Sequence, residues 1–384
     1  MDDRLRMLRV TGAVGAALAV VAVFVAWSVL AHNAASTGER AGSTAGVKPA
    51  EGTSPTADAT PTPGPSGTAT GSPGAARPPG AVPGGVDGAA AGPAVPARVA
   101  GVAYRRQGWL CVAAEDGGGE RRVIVSDSGV FALSPDAATI AWVDDGERTL
   151  VIVDVATARV VVVGPAEQDR PSWAPDSSWL AYTAPGSHVR RVARDGAGGI
   201  TLFTGSLPAV ASDGTAVVGS AVSGGPGIVV WRSGATSRIG AQAPVSGLAC
   251  DGSRVFYGTA PAGSGNASLN AVGLDGRGGV VLAGTPASTR MIAVCDLRLS
   301  PDRARIAYAE CGDDGYSRTF AVPVTGGKAV AFSARRDTYP LDWAADGARL
   351  LFIEGNAFQG EATAMLAAAA DGSSRSRLLE GAGR

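Results

Sequence analysis

The sequence predicts an all-β fold, a β-propeller of about seven four-stranded blades with six as the alternative, preceded by one transmembrane helix and a disordered linker. Three observations carry this reading. From about Arg98 onward, short β-branched and aromatic runs are split by Asp-Gly, Gly-Gly and Pro-Asp turns, the texture of many short strands. Within that region a turn aspartate recurs at intervals of 40, 37, 38, 51 and 44 residues, the length of a four-stranded blade and too long for leucine-rich or ankyrin repeats. Near the N-terminus, residues 10–31 carry no charge, and an apolar run of that length crosses a bilayer as a helix.

Residues 1–9 hold Arg4, Arg6 and Arg9, whereas the first charges after the apolar run are Glu39 and Arg40. The positive-inside bias therefore predicts a cytoplasmic N-terminus and places everything after Ala31 outside. A cleaved signal peptide is the alternative, because Val29, Leu30 and Ala31 offer small residues to a signal peptidase. The run is longer than the usual cleavable core of about 7–15 residues, which favours a retained anchor. Residues 32–97 contain no Phe, Trp or Tyr and are built of Ala, Gly, Pro, Ser and Thr. Such a segment buries too little apolar surface to offset its ordering entropy and is expected to be a disordered tether. As a coil it reaches on the order of 45 Å. The folded domain is expected over residues 98–384.

The repeat in that domain is a β-hairpin unit. A small residue stands two positions before each aspartate in Ser134-Pro135-Asp136, Ala174-Pro175-Asp176, Ala211-Ser212-Asp213, Ala249-Cys250-Asp251, Ser300-Pro301-Asp302 and Ala344-Ala345-Asp346. Four residues after the aspartate comes an aliphatic side chain: Ile140, Leu180, Val217, Val255, Ile306 or Leu350. Six residues after it comes an aromatic one, Trp142, Tyr182, Tyr257, Tyr308 or Phe352, with Gly219 as the exception. Proline presets φ for the turn, aspartate bonds the backbone ahead of it, and positions four and six share one strand face. Val102 and Tyr104 stand at the same offsets from Arg98, so a degenerate seventh repeat is expected to begin the array.

The run Arg170-Pro171-Ser172-Trp173-Ala174-Pro175-Asp176, continued through Trp179 and Leu180 to Tyr182, resembles the WD40-like repeat of the bacterial TolB propeller family. The resemblance covers residues 98–384 and is clearest in three repeats. It implies a propeller of the cell envelope that binds protein partners. The α/β domain that precedes the propeller in TolB is not expected here; an anchor and a tether stand in its place.

Composition removes several functions. Lys plus Arg number 33 and Asp plus Glu 34, so no summed field favours nucleic acid. The only histidines are His32 and His188, and Cys111, Cys250, Cys295 and Cys311 form no C-x-x-C pair, which excludes the common zinc and haem spacings. His188 reads as a solvated surface residue, and no G-x-S-x-G elbow occurs. The acidic stretches at residues 144–147 and 310–315 lack EF-hand spacing and read as solvated turns. Trp142, Trp173, Trp179 and Trp343 fall at repeat positions and are expected between blades, whereas Trp109 and Trp231 lie off the pattern and are candidates for an exposed contact.

No catalytic, cofactor-binding or metal residue is therefore assigned, and the chain is expected not to be an enzyme. The reading is a single-pass, membrane-anchored, extracytoplasmic propeller acting as a protein-interaction or envelope-sensing module, with unknown envelope proteins as partners. The alternative is a propeller hydrolase or lyase acting on an envelope glycan or peptide. Cys295 and Cys311 flank one hairpin turn symmetrically and are expected to form a disulfide outside the membrane. The two longest repeat spacings place inserted loops near residues 258–270 and 310–317, the expected recognition elements.

Overall fold

The computed structural model describes residues 100–126, 128–260, 266–284, 291–312, 317–332, 337–355 and 363–383. The expected anchor and tether lie outside the described residues. Among those described, no helix is long and apolar enough to cross a membrane.

Strands β1 (Val102–Arg106) to β28 (Ala382–Gly383) form seven antiparallel sheets of four strands each, which decides between seven blades and six. Blade 2 shows the pattern: β4 (Val130–Leu133) is innermost, followed outward by β5 (Thr139–Val143), β6 (Thr149–Asp154) and β7 (Val160–Pro165). Blades 3 to 7 repeat it in chain order. Blade 1 differs, because its inner strand is the C-terminal β28, which pairs with β1 through Arg105↔Gly383 and Arg106↔Ala382. The ring is thus closed by joining the two ends of the domain in one sheet.

Each turn aspartate caps the hairpin between the first and second strands. Its Oδ1 accepts the N–H two residues on in all six repeats, at Ala138, Ser178, Thr215, Ser253, Ala304 and Ala348. The residue directly after the aspartate takes a positive φ in every case, 74° at Gly214 but also 55° at Ala137 and 59° at Arg303. That left-handed conformation costs a side-chain-bearing residue roughly 1 kcal/mol or more, and the tight turn imposes it, closed in blade 2 by the Ala137 N–H on the Ser134 carbonyl at 2.8 Å.

The second strand of each blade is buried on both faces. The aliphatic residues four after the aspartate are all 0% exposed. Each shares a cluster with its aromatic partner, as Ile306 does with Tyr308 and Leu350 with Phe352. Gly219 lacks that aromatic because the Phe203 ring of blade 3 fills the space, 2.7 Å from where a Cβ would stand. Val102 and Tyr104 take the same two positions in blade 1 and are 2% and 0% exposed, so the degenerate repeat is a full blade.

The core is divided accordingly into seven clusters, one between each pair of neighbouring blades. Trp142, Trp173, Trp179 and Trp343 are at most 8% exposed within them. The indole N–H of Trp173 donates to the Ala132 carbonyl of blade 2 at 3.1 Å, and that of Trp343 to the Arg298 carbonyl of blade 6 at 2.8 Å. Trp109 and Trp231 do not stand clear as exposed contacts. Both are half-buried and pack against clusters, because the third strand is also covered by a neighbour.

The closing blade carries a polar cluster of its own. Glu120 accepts from the Tyr104 hydroxyl and from Arg106, both at 2.6 Å. The Tyr104 hydroxyl bond and the Arg106 guanidinium outweigh burial and hold the Glu120 carboxyl below the usual range. A depressed carboxyl contributes stability above its unfolded pKa, and that contribution is lost as pH falls through the folded value. Glu120→Gln should therefore destabilise the protein by about 1 kcal/mol at pH 7. Thermal unfolding of both proteins should show the gap closing at a pH below the ordinary glutamate range of about 4.3; a gap that persists there would rule out the charge as its source.

Candidate functional site

The inner strands surround a central channel with a cavity of about 970 Å³, lined by residues of blades 2 to 7. The repeat explains which side chains reach it. The innermost strand of each blade borders the channel along its edge, and the residue four before each turn aspartate lies on that strand. All six such residues, Ala132, Ser172, Ala209, Gly247, Arg298 and Asp342, line the channel. Four are small, and the two charged ones fall in the adjacent blades 6 and 7.

Each charged residue of the wall is tied to the framework. Asp169 accepts from the Thr183 hydroxyl at 2.7 Å and from the Leu207 N–H of the next blade at 2.8 Å. Arg170 donates to the Phe131 carbonyl at 3.0 Å. Arg298 donates to the carbonyls of Leu341 and Leu297 at 3.0 and 2.7 Å and lies 3.9 Å from Asp296. Asp342 accepts from the Trp343 N–H at 2.8 Å. At the turn end, Arg303 reaches from blade 6 to the Ser212 carbonyl of blade 4 at 3.3 Å. The lining residues include no histidine.

Cys295 and Cys311 are joined by a disulfide, as expected, with their Cα atoms 6.4 Å apart. They are not directly opposed, since β20 (Met291–Leu299) pairs Cys295 with Ala309 and Ala293 with Cys311. Two irregularities in that strand, between Met291 and Ala293 and between Cys295 and Arg298, shift the register the symmetric spacing implied. The bridge borders the channel. Asp296 groups with the two sulfurs, but both sulfurs are spent in the bridge and offer no thiolate to a metal. Cys111 and Cys250 are buried and unbridged. Burial pushes the Cys250 thiol up to about 12, which leaves it unreactive.

The weighed acidic stretches separate. Asp144 accepts the Glu147 N–H at 2.7 Å in an exposed turn, as read from the sequence. Glu310 is not in a solvated turn. It lies in β21 (Arg305–Gly312), 4% exposed, with the Arg318 guanidinium at 2.7 Å. Burial pushes its carboxyl up against the opposing pull of Arg318. His188 is exposed at the start of β10 (His188–Ala193), the third strand of blade 3, and does not line the channel. The inserted-loop calls are narrower than expected: Gly258 and Thr259 belong to β17 (Arg254–Thr259) and residues 268–270 to β18 (Ser268–Gly273), while residues 261–265 and 313–316 lie outside the described residues.

The seven four-stranded sheets define a seven-bladed β-propeller. No protein-family profile and no curated protein matches the chain. Solved structures do. TolB from Acinetobacter baumannii is 19% identical, with 60% of this chain and 64% of that one covered and a TM-score of 0.44, so the chain spans less than two thirds of that protein. A prolyl endopeptidase matches at 11% identity over 74% of this chain and 50% of that one, TM-score 0.53. An oligogalacturonate lyase in complex with manganese matches at 11% identity over 74% and 85%, TM-score 0.51. At such identities the last two share the fold with this chain and nothing finer.

The disulfide closes a loop with a sequence separation of 16 residues. Replacing both cysteines by serine should cost about 3 kcal/mol in the chain-entropy account. A lowered urea midpoint, matched by adding reductant to the unmodified protein, is the expected result. Equal midpoints with and without reductant would mean that the bridge does not form.

Proposed function

We propose that this chain is a membrane-anchored, extracytoplasmic propeller that captures protein partners of the cell envelope and performs no chemistry of its own. The observation that carries the reading is the channel wall, where the charged side chains are bonded to the propeller's own backbone or to each other and no histidine stands among them. General acid–base or nucleophilic chemistry needs a titratable group within reach of a substrate and tuned near the working pH. A wall of this kind instead presents a rigid, mixed-charge surface.

The location rests on two supports. The uncharged residues 10–31, flanked by arginines on the N-terminal side only, favour insertion with the propeller outside. The Cys295–Cys311 bridge suits an oxidising compartment. The tether at residues 32–97 would then hold the propeller away from the lipid surface. Partner recognition is assigned to the turns between second and third strands, above all the insertion at residues 260–267, because inserted segments on a rigid ring vary without disturbing its core.

Two experiments test this. Protease added to cells stripped of their outer layers should remove the propeller, and appearance of the protein in the medium with an N-terminus near His32 would overturn the anchor. Deleting residues 260–267 should abolish recovery of crosslinked partners while moving the unfolding midpoint little. Retention of every partner, or hydrolysis of an envelope glycan or peptide that is lost on changing one channel carboxylate, would overturn the binding role.

A further inference from the structure

Two of the four cysteines, Cys111 and Cys250, are buried and unbridged, so accessible sulfur chemistry is confined to the Cys295–Cys311 bridge. Both bridged residues are half-buried and border the channel, which gives a thiol reagent a path to the sulfurs. The fold does not rest on this bond. It joins β20 to β21, which already face each other through six ladder pairs. Neither cysteine belongs to any of the seven apolar clusters, whereas Cys111 and Cys250 each belong to one.

What the bridge holds is local. Cys295 stands immediately before the second register shift of β20, where Asp296 takes a φ of 54°, and Arg298 stands immediately after it. The Arg298 guanidinium donates to the Leu341 carbonyl of blade 7 at 3.0 Å, and the Arg298 carbonyl accepts the Trp343 indole N–H at 2.8 Å. Leu341 and Trp343 flank Asp342, the other charged residue among the six wall positions four before the turn aspartates. A bulge weakens the ladder that would fix a strand's course, so the covalent tie on one side of the shift steadies Arg298 on the other. Blades 2 and 3 supply the contrast. There the Trp173 indole N–H donates to the Ala132 carbonyl at 3.1 Å in the same arrangement, but the strand carrying Ala132 pairs with β5 without a register shift and has no bridge.

We propose that the Cys295–Cys311 bridge is a redox switch, which a dithiol reductant opens in the folded protein and which thereby releases the charged side of the channel wall at blades 6 and 7. The thiolate of the dithiol attacks one sulfur, forming a mixed disulfide and freeing the other as a thiolate that takes up a proton. The second thiol of the reductant then displaces the remaining cysteine. Two electrons and two protons pass to the chain, and the reductant leaves as its own disulfide. With the tie gone, β20 relaxes at its irregular stretch, and the bonds that Arg298 makes to blade 7 open more often.

The two indoles provide the test. The full chain in detergent solution, with its tryptophans labelled with nitrogen-15, is treated with dithiothreitol in the absence of denaturant, and the Trp343 and Trp173 signals are assigned from Trp343→Phe and Trp173→Phe. The bridge should be reduced while the protein stays folded. The Trp343 indole signal should shift, and its N–H should exchange with solvent at least tenfold faster, while Trp173 keeps its position and its rate. The double variant Cys295→Ser, Cys311→Ser should show the released Trp343 signal with or without reductant. A bridge that resists dithiothreitol until denaturant is added overturns the proposal. So does reduction that leaves Trp343 unchanged, or that moves Trp173 as much as Trp343 and so reports general loosening. If the double variant does not fold, the reduced unmodified protein decides the matter.

Discussion

The structure depends on one constraint: no blade can bury its own faces. A four-stranded sheet standing alone leaves two apolar surfaces in water, and here both are covered only by the sheets on either side. The second strand bears the consequence most strongly, since its aliphatic residues pack backward on the preceding blade and the residues between them pack forward. Ile140 belongs to the cluster shared with blade 1, and its neighbour Ala141 to the cluster shared with blade 3. At about 25 cal/mol per Å² of apolar surface, such two-sided burial is the main stabilising term, and it exists only when the ring is complete.

Completion is therefore where a propeller is most vulnerable, and this chain secures it with both apolar and polar contacts. The two-residue strand β28 contributes few ladder bonds, but Ala382 is fully buried in the cluster between blades 7 and 1. Glu115 of blade 1 accepts the Ala345 N–H of blade 7 at 2.6 Å and faces Arg349. The Tyr104–Glu120–Arg106 group lies in the same blade. Charged hydrogen bonds are directional where hydrophobic contact is not, so the contacts of Glu115 with blade 7 help fix the angle at which the last blade meets the first.

The repeat was legible in the sequence because it is local: a turn aspartate, an aliphatic at four and an aromatic at six all lie within seven residues and answer to one strand's periodicity. The seventh blade could be expected from Val102 and Tyr104 for the same reason. What closes it could not, since Ala382 and Gly383 carry no pattern and their partner lies at the other end of the domain. The channel wall was legible in principle, through the position four before the aspartate, but four of its six residues are small and read as filler. Glu310 misled for a physical reason. The Gly and Asp residue types that follow it in the sequence are those of turns, whereas in the structure Glu310 lies in β21 and the adjacent strand brings Arg318 across to it.

The placement of the disulfide follows from the same ladder logic. β20 is the longest strand among the described residues, with nine, and its pairing with β21 shifts register twice, while Asp296, inside the second shift, takes a φ of 54°. Each irregularity removes ladder bonds and twists the strand, so this inner hairpin holds its course less firmly than the regular ones. It also carries Arg298, whose bonds to Leu341 and from Trp343 join blade 6 to blade 7. Cys295 lies between the two shifts and is tied to Cys311 on the adjacent strand. A covalent link there restores the constraint that the lost ladder bonds would have supplied, and it does so at the strand on which both the channel wall and the blade 6 to blade 7 contact depend.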